Sequence, residues 1–258
     1  MANTERAGEP FVYEGKDLKA MDFARNYHDW ILSKFDPFVG QKLLEVGAGT
    51  GSVSRMILDR YQKETWMLEP SEQIDILKFT LTSLPNSMPA HPVQGFLADH
   101  VEHLKHLQID TVFYVNVMEH IEDDRAELRH VFDLLKPGGH VLTFSPAMPW
   151  LYGRFDHRIG HFRRYELRDM KEKMRLAGYE VVRAHYVDLP GMFLWWLMFH
   201  VFKFTRLSRR SVRWYDKIVI PVLRRLDPSR VLPWGKNIVV VGKKPASSSL
   251  PSVLPEAA

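Results

Sequence analysis

Short runs rich in β-branched and aromatic residues alternate along the chain with stretches of helical periodicity. They are KLLEVG at 42–47, TWMLEP at 65–70, PVQGFL at 92–97, DTVFYVNV at 110–117 and GHVLTFSP at 139–146. Such alternation predicts an α/β fold, a parallel sheet joined by crossover helices. One crossover helix has readable ends: Asp124 followed by Glu127 makes a capping-box-like start, and Pro137-Gly138-Gly139 makes the stop. Between them Ala126, Leu128, Val131, Leu134 and Leu135 form an apolar stripe that should pack on the sheet. A helix from Leu167 to Ala177 stopped by Gly178, a strand at 179–188 and a last strand at 237–244 complete the expected core. Residues 1–17 and 246–258 lack periodicity and read as flexible tails around a single domain at 18–245.

Composition narrows the chemistry. With 258 residues and 45% apolar content the chain can bury a sizeable core, and with no cysteine it has no disulfide, thiolate metal site or cysteine nucleophile. The first residues lack the basic start and apolar core of a secretory signal. The longest uninterrupted apolar run, Met192 to Phe199, is too short to span a bilayer. A cytoplasmic location is expected.

The segment 189–236 differs from the rest. It carries ten Lys/Arg against two Asp, a net +8, which leaves −4 for the remainder of the chain. Its first part, GMFLWWLMFHVFKF at 191–204, is aromatic and apolar, and it runs into the arginine-rich RLSRRSVRW. Three roles are open for this insertion: membrane-surface contact through 191–225 at the inner face, a lid over a pocket, or a homodimer interface.

The most informative stretch is Leu43-Leu44-Glu45-Val46-Gly47-Ala48-Gly49-Thr50-Gly51-Ser52, a strand running into alternate glycines and then into a helical pattern. Glycine there allows a sharp turn and lets a ligand lie directly on main chain. The third glycine comes too early for a dinucleotide fingerprint, and no Gly-Lys-Ser/Thr ending marks a phosphate loop. An acid, Glu45, precedes the glycines and suits a cationic ligand. Glu69 ends the next strand, where a carboxylate can accept from two ribose hydroxyls.

Over most of residues 25–245 the sequence resembles the class I S-adenosylmethionine-dependent methyltransferases. The matching segments, in order, are LLEVGAGTGS, MLEPS, GFLADH, NVMEHIEDD and LLKPGGHVLTFSPA. The resemblance implies a Rossmann-like seven-stranded sheet with the last strand antiparallel, and S-adenosyl-L-methionine as cofactor. Carried onto this chain, it implies a cofactor site of Glu45, Gly47, Ala48, Gly49, Gly51, Glu69, Pro70, Phe96, Leu97, Asp99, Asn116 and Val117. The three glycines would pack beneath the methionine moiety and ribose, and Asp99 would sit near the adenine amine. NYHDWILSKFDPFVG at 26–40 and LYGRFDHRIGHFRRY at 151–165 are similar to a bacterial subgroup tied to polysaccharide, lipid or secondary-metabolite pathways.

Methyl transfer from a sulfonium requires the protein to align an acceptor and manage one proton. His120, His161 and Tyr165 are the catalytic candidates. His120, at the end of the fourth strand, is read as a general base or an acceptor-orienting group, with a capping or packing role as the bland alternative. Glu119, Tyr152, Asp156, His157, Arg163 and Arg164 are the acceptor-binding candidates. The adjacent arginines suit a planar anion, unless they are spent on ion pairs with Asp156 or Glu166. His100, His103 and His106 repeat every third residue but have no second ligand group, so no metal site is expected.

The reading is therefore transfer to a small, anionic or lipid-like acceptor. A cyclase, a lyase or a silent binding subunit using the same cofactor stands as the alternative. Nucleic-acid methylation ranks last, because Asn116-Val117-Met118-Glu119 departs from the Asn/Asp-Pro-Pro-aromatic tetrad of base-amine methylation.

Overall fold

In a computed structural model of the chain, residues 24–85, 89–204, 208–226 and 233–246 are described. The expected N-terminal tail and, past residue 246, the C-terminal one lie outside them. In chain order the elements are α1 (Arg25–Ser33), β1 (Lys42–Val46), α2 (Ser52–Tyr61), β2 (Glu64–Glu69), α3 (Gln73–Thr82), β3 (Ala90–Gln94) and α4 (Leu97–Lys105). Then follow β4 (Thr111–Val115), α5 (Asp124–Leu134), β5 (His140–Pro146), α6 (Arg154–Arg158), α7 (Leu167–Leu176), β6 (Glu180–Val187), α8 (Leu189–Trp195), α9 (Arg209–Trp214), α10 (Ile220–Leu226) and β7 (Asn237–Lys243).

The seven strands form one sheet in the order β3-β2-β1-β4-β5-β7-β6, with β7 antiparallel to both its neighbours. Its five central strands are nearly continuous buried runs because both faces are covered, whereas the edge strands β3 and β6 are largely part-exposed. In β4, Val112 and Tyr114 enter a core with Leu128 and Val131 of α5 and Met170 of α7, while Phe113 turns to the opposite core with Ile31 of α1 and Ile57 of α2. Strand order reverses between β1 and β4, and in such sheets the crevice at the carboxyl ends of these strands is where ligands bind.

Two local expectations shift. The third strand is 90–94 and not 92–97, because Gly95 at φ +133° turns the chain and Phe96 becomes the N-cap of α4. The cap of α5 is Asp123, which accepts from the Ala126 amide at 2.9 Å. Asp124 is thereby released to the interior, where it is 3% exposed.

Candidate active site

The three loop glycines are required for three different reasons. All have positive φ, +72° at Gly47, +55° at Gly49 and +85° at Gly51. A Cβ on Gly47 would stand 2.6 Å from Val117 Cγ2, and one on Gly51 would stand 2.7 Å from Leu77 Cδ1 of α3. Gly47 and Gly51 are thus held by the protein's own side chains. A Cβ on Gly49 would meet only Gln73 Oε1, at 3.5 Å, so the space above this one glycine is open to a ligand. The expectation that all three lie bare beneath the cofactor narrows to Gly49. Ala48 is buried with Leu58, Met67 and Leu77, and its amide donates with that of Gly47 to Leu68 O.

Glu69 fixes the loop from below. Its Oε2 accepts from the Gly49 amide at 2.7 Å, and its Oε1 accepts from the Ser71 amide at 2.9 Å and from the Ser71 hydroxyl. A carboxylate has about four acceptor sites, so capacity for a ribose hydroxyl remains. Ser71 was not singled out by sequence, although its place two residues after Glu69 was a usable signal. Pro70 lies half-buried between them.

Glu45 is 3% exposed, and its Oε2 has no hydrogen-bond partner. Burial, reinforced by the charge of Glu69, pushes this carboxyl up to about 8. A buried orphan acceptor calls for an outside donor. S-adenosylmethionine, with its ammonium, sulfonium and ribose diol, fits this orphan acid together with the open shelf at Gly49. Phe96 and Asp99 are exposed, and Asp99 accepts from the Phe96 amide at 3.4 Å. Leu97 turns its side chain into the core, which corrects the expectation that it faces the cofactor.

The turn after β4 joins the two halves of the site. Asn116 adopts φ +54°, a conformation asparagine tolerates better than most residues, and its amide donates to Phe144 O. Val117 then packs on Gly47, and the short helical turn Met118–His120 carries Glu119 and His120 inward.

Opposite that turn stands His161, on the loop after α6. Its Nδ1 lies 3.0 Å from Asp156 Oδ1 and its Nε2 lies 3.9 Å from Glu119 Oε1, and its ring is edge-on to His120 with centroids 4.6 Å apart. Asp156 also receives the Gly153 amide at 3.0 Å and Arg164 at 2.7 Å. Burial opposes its ionisation, but the His161 and Arg164 contacts outweigh burial and hold the carboxyl below the ordinary range. An ionised Asp156 fixes the proton of His161 on Nδ1 and leaves Nε2 as the basic atom. Glu119 is fully buried with both oxygens lacking hydrogen-bond partners, and burial raises it to about 7. Burial, with the nearby His161, lowers His120 to about 3, and its Nδ1 meets Gly160 O at 3.2 Å.

Other expected residues fall differently. Tyr165 is fully buried, with its hydroxyl on Met118 O at 2.9 Å and Asp124 Oδ2 at 2.8 Å. This bracing place replaces the expected catalytic one. Arg164 pairs with Asp156 as the ion-pair alternative held, whereas Arg163 pairs at 2.8 Å with Asp124, a partner not foreseen, so both arginines are taken up in ion pairs and the two-pronged anion clamp is not formed. Lys173 closes on Asp124 at 2.7 Å. Tyr152 donates to His161 O at 2.7 Å and supports the loop, while His157 is exposed on α6 away from the cluster. For a metal, the structure offers Glu119, His120 and His161, whose ligand atoms lie within 4.8 Å of one another, and not the His100, His103 and His106 triplet weighed from sequence.

Under the insertion lies a cavity of about 100 Å³ walled by Tyr27, Leu194, Trp195, Met198, Phe199 and Tyr215, with Asp216 and Lys236 also on its lining and none of Glu119, His120, Asp156 or His161. Trp195 stacks on Arg164 at 4.7 Å, so one wall of the cavity backs onto the ion pair that holds His161. The insertion is anchored here: Lys236 meets Asp188 at 3.0 Å, and Asp216 accepts from the Tyr27 amide at 2.8 Å. Sequence gave no signal for this network, since its members lie up to 190 residues apart.

Comparison with known proteins follows the same lines. Residues 22–184 match a family model described as a methyltransferase domain. A ubiquinone biosynthesis O-methyltransferase of Vibrio vulnificus is 28% identical over 113 residues, which is 44% of this chain and 47% of that one. The chain thus spans about half the length of that curated relative. The enzyme of the same name from Erwinia tasmaniensis is 27% identical over 182 residues, 64% of this chain and 73% of that one. A crystal structure of a SAM-dependent methyltransferase from Archaeoglobus fulgidus superposes with a TM-score of 0.57 at 16% identity, covering 88% of this chain and 98% of that one, and shares the fold. With its glycine loop, its acidic second strand and the match over 22–184, the chain belongs to the methyltransferase domain family and has the fold of the class I S-adenosylmethionine-dependent methyltransferases.

Proposed function

We propose that the protein methylates a hydroxyl oxygen on a small amphiphilic acceptor, with His161 removing the hydroxyl proton. The observation that carries the reading is the Asp156–His161 pair at 3.0 Å, with Nε2 of His161 turned toward the buried, unpartnered Glu119.

S-adenosylmethionine supplies a methyl group already activated on a sulfonium. What the chain must add is alignment and a base. Glu45, Gly49 and Glu69 hold the donor; Phe96, Asp99, Asn116 and Val117 complete its side of the crevice. His161 accepts the proton at Nε2, Asp156 steadies the resulting imidazolium through Nδ1, and Glu119, when ionised, adds a second negative charge 3.9 Å from Nε2. His120 orients the acceptor from the facing edge. The apolar cavity under Trp195 and Phe199 suits an aliphatic or prenyl portion of the acceptor, and the relatives' name, ubiquinone biosynthesis O-methyltransferase, supports an oxygen nucleophile.

The test is turnover of methyl-labelled donor with alkylated catechols and phenols. Labelled methyl ether and S-adenosylhomocysteine are expected, and His161→Ala should lower kcat by about 10²–10⁴-fold with donor affinity unchanged by calorimetry. Label on nitrogen or carbon would displace the oxygen reading, and methylthioadenosine as product would favour cleavage of the donor.

A further inference from the structure

The inner and outer sides of the insertion are built to opposite rules. Inward, α8 and the wide helical turn that continues it (Trp196–Val201) give Leu194, Trp195, Met198 and Phe199 to the cavity. Outward, Phe193, Trp196, Leu197 and Val201 are exposed, followed by Phe202 and Phe204, both more than half exposed. The second helical run, from α9 through Tyr215–Val219 to α10, repeats the arrangement. Val212 and Ile220 are buried, while Trp214, Ile218 and Val222, four residues apart and therefore on one side, are 49–56% exposed. Among the described residues, nine of the seventeen exposed large apolar side chains lie in 189–226. Such concentration on one element marks a contact surface and not the ordinary scatter of surface apolar groups.

Charge identifies the partner. Between Lys203 and Arg225 the described residues include seven exposed cations, and the single acid of the segment, Asp216, is buried against α1. Arg210, Arg213, Lys217 and Arg224 recur beside the Trp214 row. A second copy seated face to face would set these cations against themselves, and the cores of protein interfaces are depleted in charge. Arg224 pairs with Asp29 of α1, while Arg210, Arg213 and Lys217 stand exposed among the aromatic side chains, a combination that matches the headgroup region of an anionic bilayer, where each Lys or Arg near the surface adds attraction.

We infer that the outward face of 189–226 seats on anionic lipid, with the aromatic side chains at headgroup depth and the cations on lipid phosphates. The inference rests on this surface and not on the identity of the acceptor or the methylated atom.

Co-sedimentation of the full chain with phosphatidylglycerol–phosphatidylcholine vesicles tests it against vesicles of phosphatidylcholine alone. Binding to the mixed vesicles should exceed binding to the neutral ones by about tenfold or more and should weaken with salt. Trp214→Ser with Ile218→Ser, and separately Arg213→Gln with Lys217→Gln, should each lower partitioning by about tenfold while calorimetric donor binding stays as in the wild type. Equal binding to both vesicle types, or none, overturns the inference with no variant needed. Sedimentation velocity showing a dimer that Trp214→Ser dissociates, without vesicle binding, would assign the face to a second copy and overturn it equally.

Discussion

At the exit of β1 the site is made of main chain: glycines at positive φ, amides donating to Leu68 O and Glu69, and one orphan acid. Past β5 it is made of charges, with Asp156 shared by Arg164 and His161, and Asp124 shared by Arg163, Lys173 and Tyr165. The donor end presents a fixed ligand with a shelf. On the proposed reading the acceptor end has both arginines taken up in ion pairs, Arg164 with Asp156 beside His161 and Arg163 with Asp124, so acceptor specificity does not come from an arginine clamp.

That contrast is broken most forcefully at Asp156. Asp156→Ala leaves the Arg164 guanidinium buried without its carboxylate, and loss of one partner of a buried pair costs about 3–5 kcal/mol. Urea unfolding should show a loss of this size. A change below about 1 kcal/mol would mean that water reaches Arg164 and that the acceptor end is not charge-built.

Next in size is the carboxyl at the junction of the two ends. Glu119 is raised by burial to about 7 from an ordinary 4.5. The folded state therefore holds the proton more tightly than the unfolded chain, so the stability linked to it is full below about pH 4.5 and is lost as pH rises through 7. At about 1.4 kcal/mol per pH unit the loss is of the order of 3 kcal/mol. Glu119→Gln should remove that slope in unfolding measured from about pH 5 to 8, and should also flatten the rise of kcat through neutrality that an ionised Glu119 provides. An unchanged slope would place the titration elsewhere, with Glu45 as the next carboxyl to replace.

The same division explains what was legible beforehand. The strands were visible in their residue runs except that the third, 90–94, was expected at 92–97, and the donor loop was visible because positive φ demands glycine at Gly47, Gly49 and Gly51. The acceptor end was visible only as an inventory. Asp156, His161, Arg163 and Arg164 were recognisable as chemistry, but which arginine met which acid depended on α5 handing Asp124 inward once Asp123 took the cap. Lys236 and Asp188 carried no local signal, since their pairing is made by the sheet closing β7 between β5 and β6.

A last pair of substitutions separates the glycines within the donor end, Gly49→Ala having the smallest expected effect on stability. Gly47→Ala sets a methyl 2.6 Å from Val117 Cγ2 at φ +72°, and overpacking of this kind costs about 1–3 kcal/mol beyond the backbone strain of about 1–2 kcal/mol. Gly49→Ala meets only Gln73 Oε1 at 3.5 Å and should cost the strain alone. Its methyl instead stands on the shelf, so donor affinity by calorimetry should fall about tenfold or more, the equivalent of losing roughly 1.4 kcal/mol of contact. Thermal melting and titration of the two variants thus give opposite rankings: Gly47→Ala the less stable, Gly49→Ala the weaker binder. Equal donor affinity in both would show that the donor rests elsewhere than on Gly49, because no other loop glycine leaves its Cβ position open.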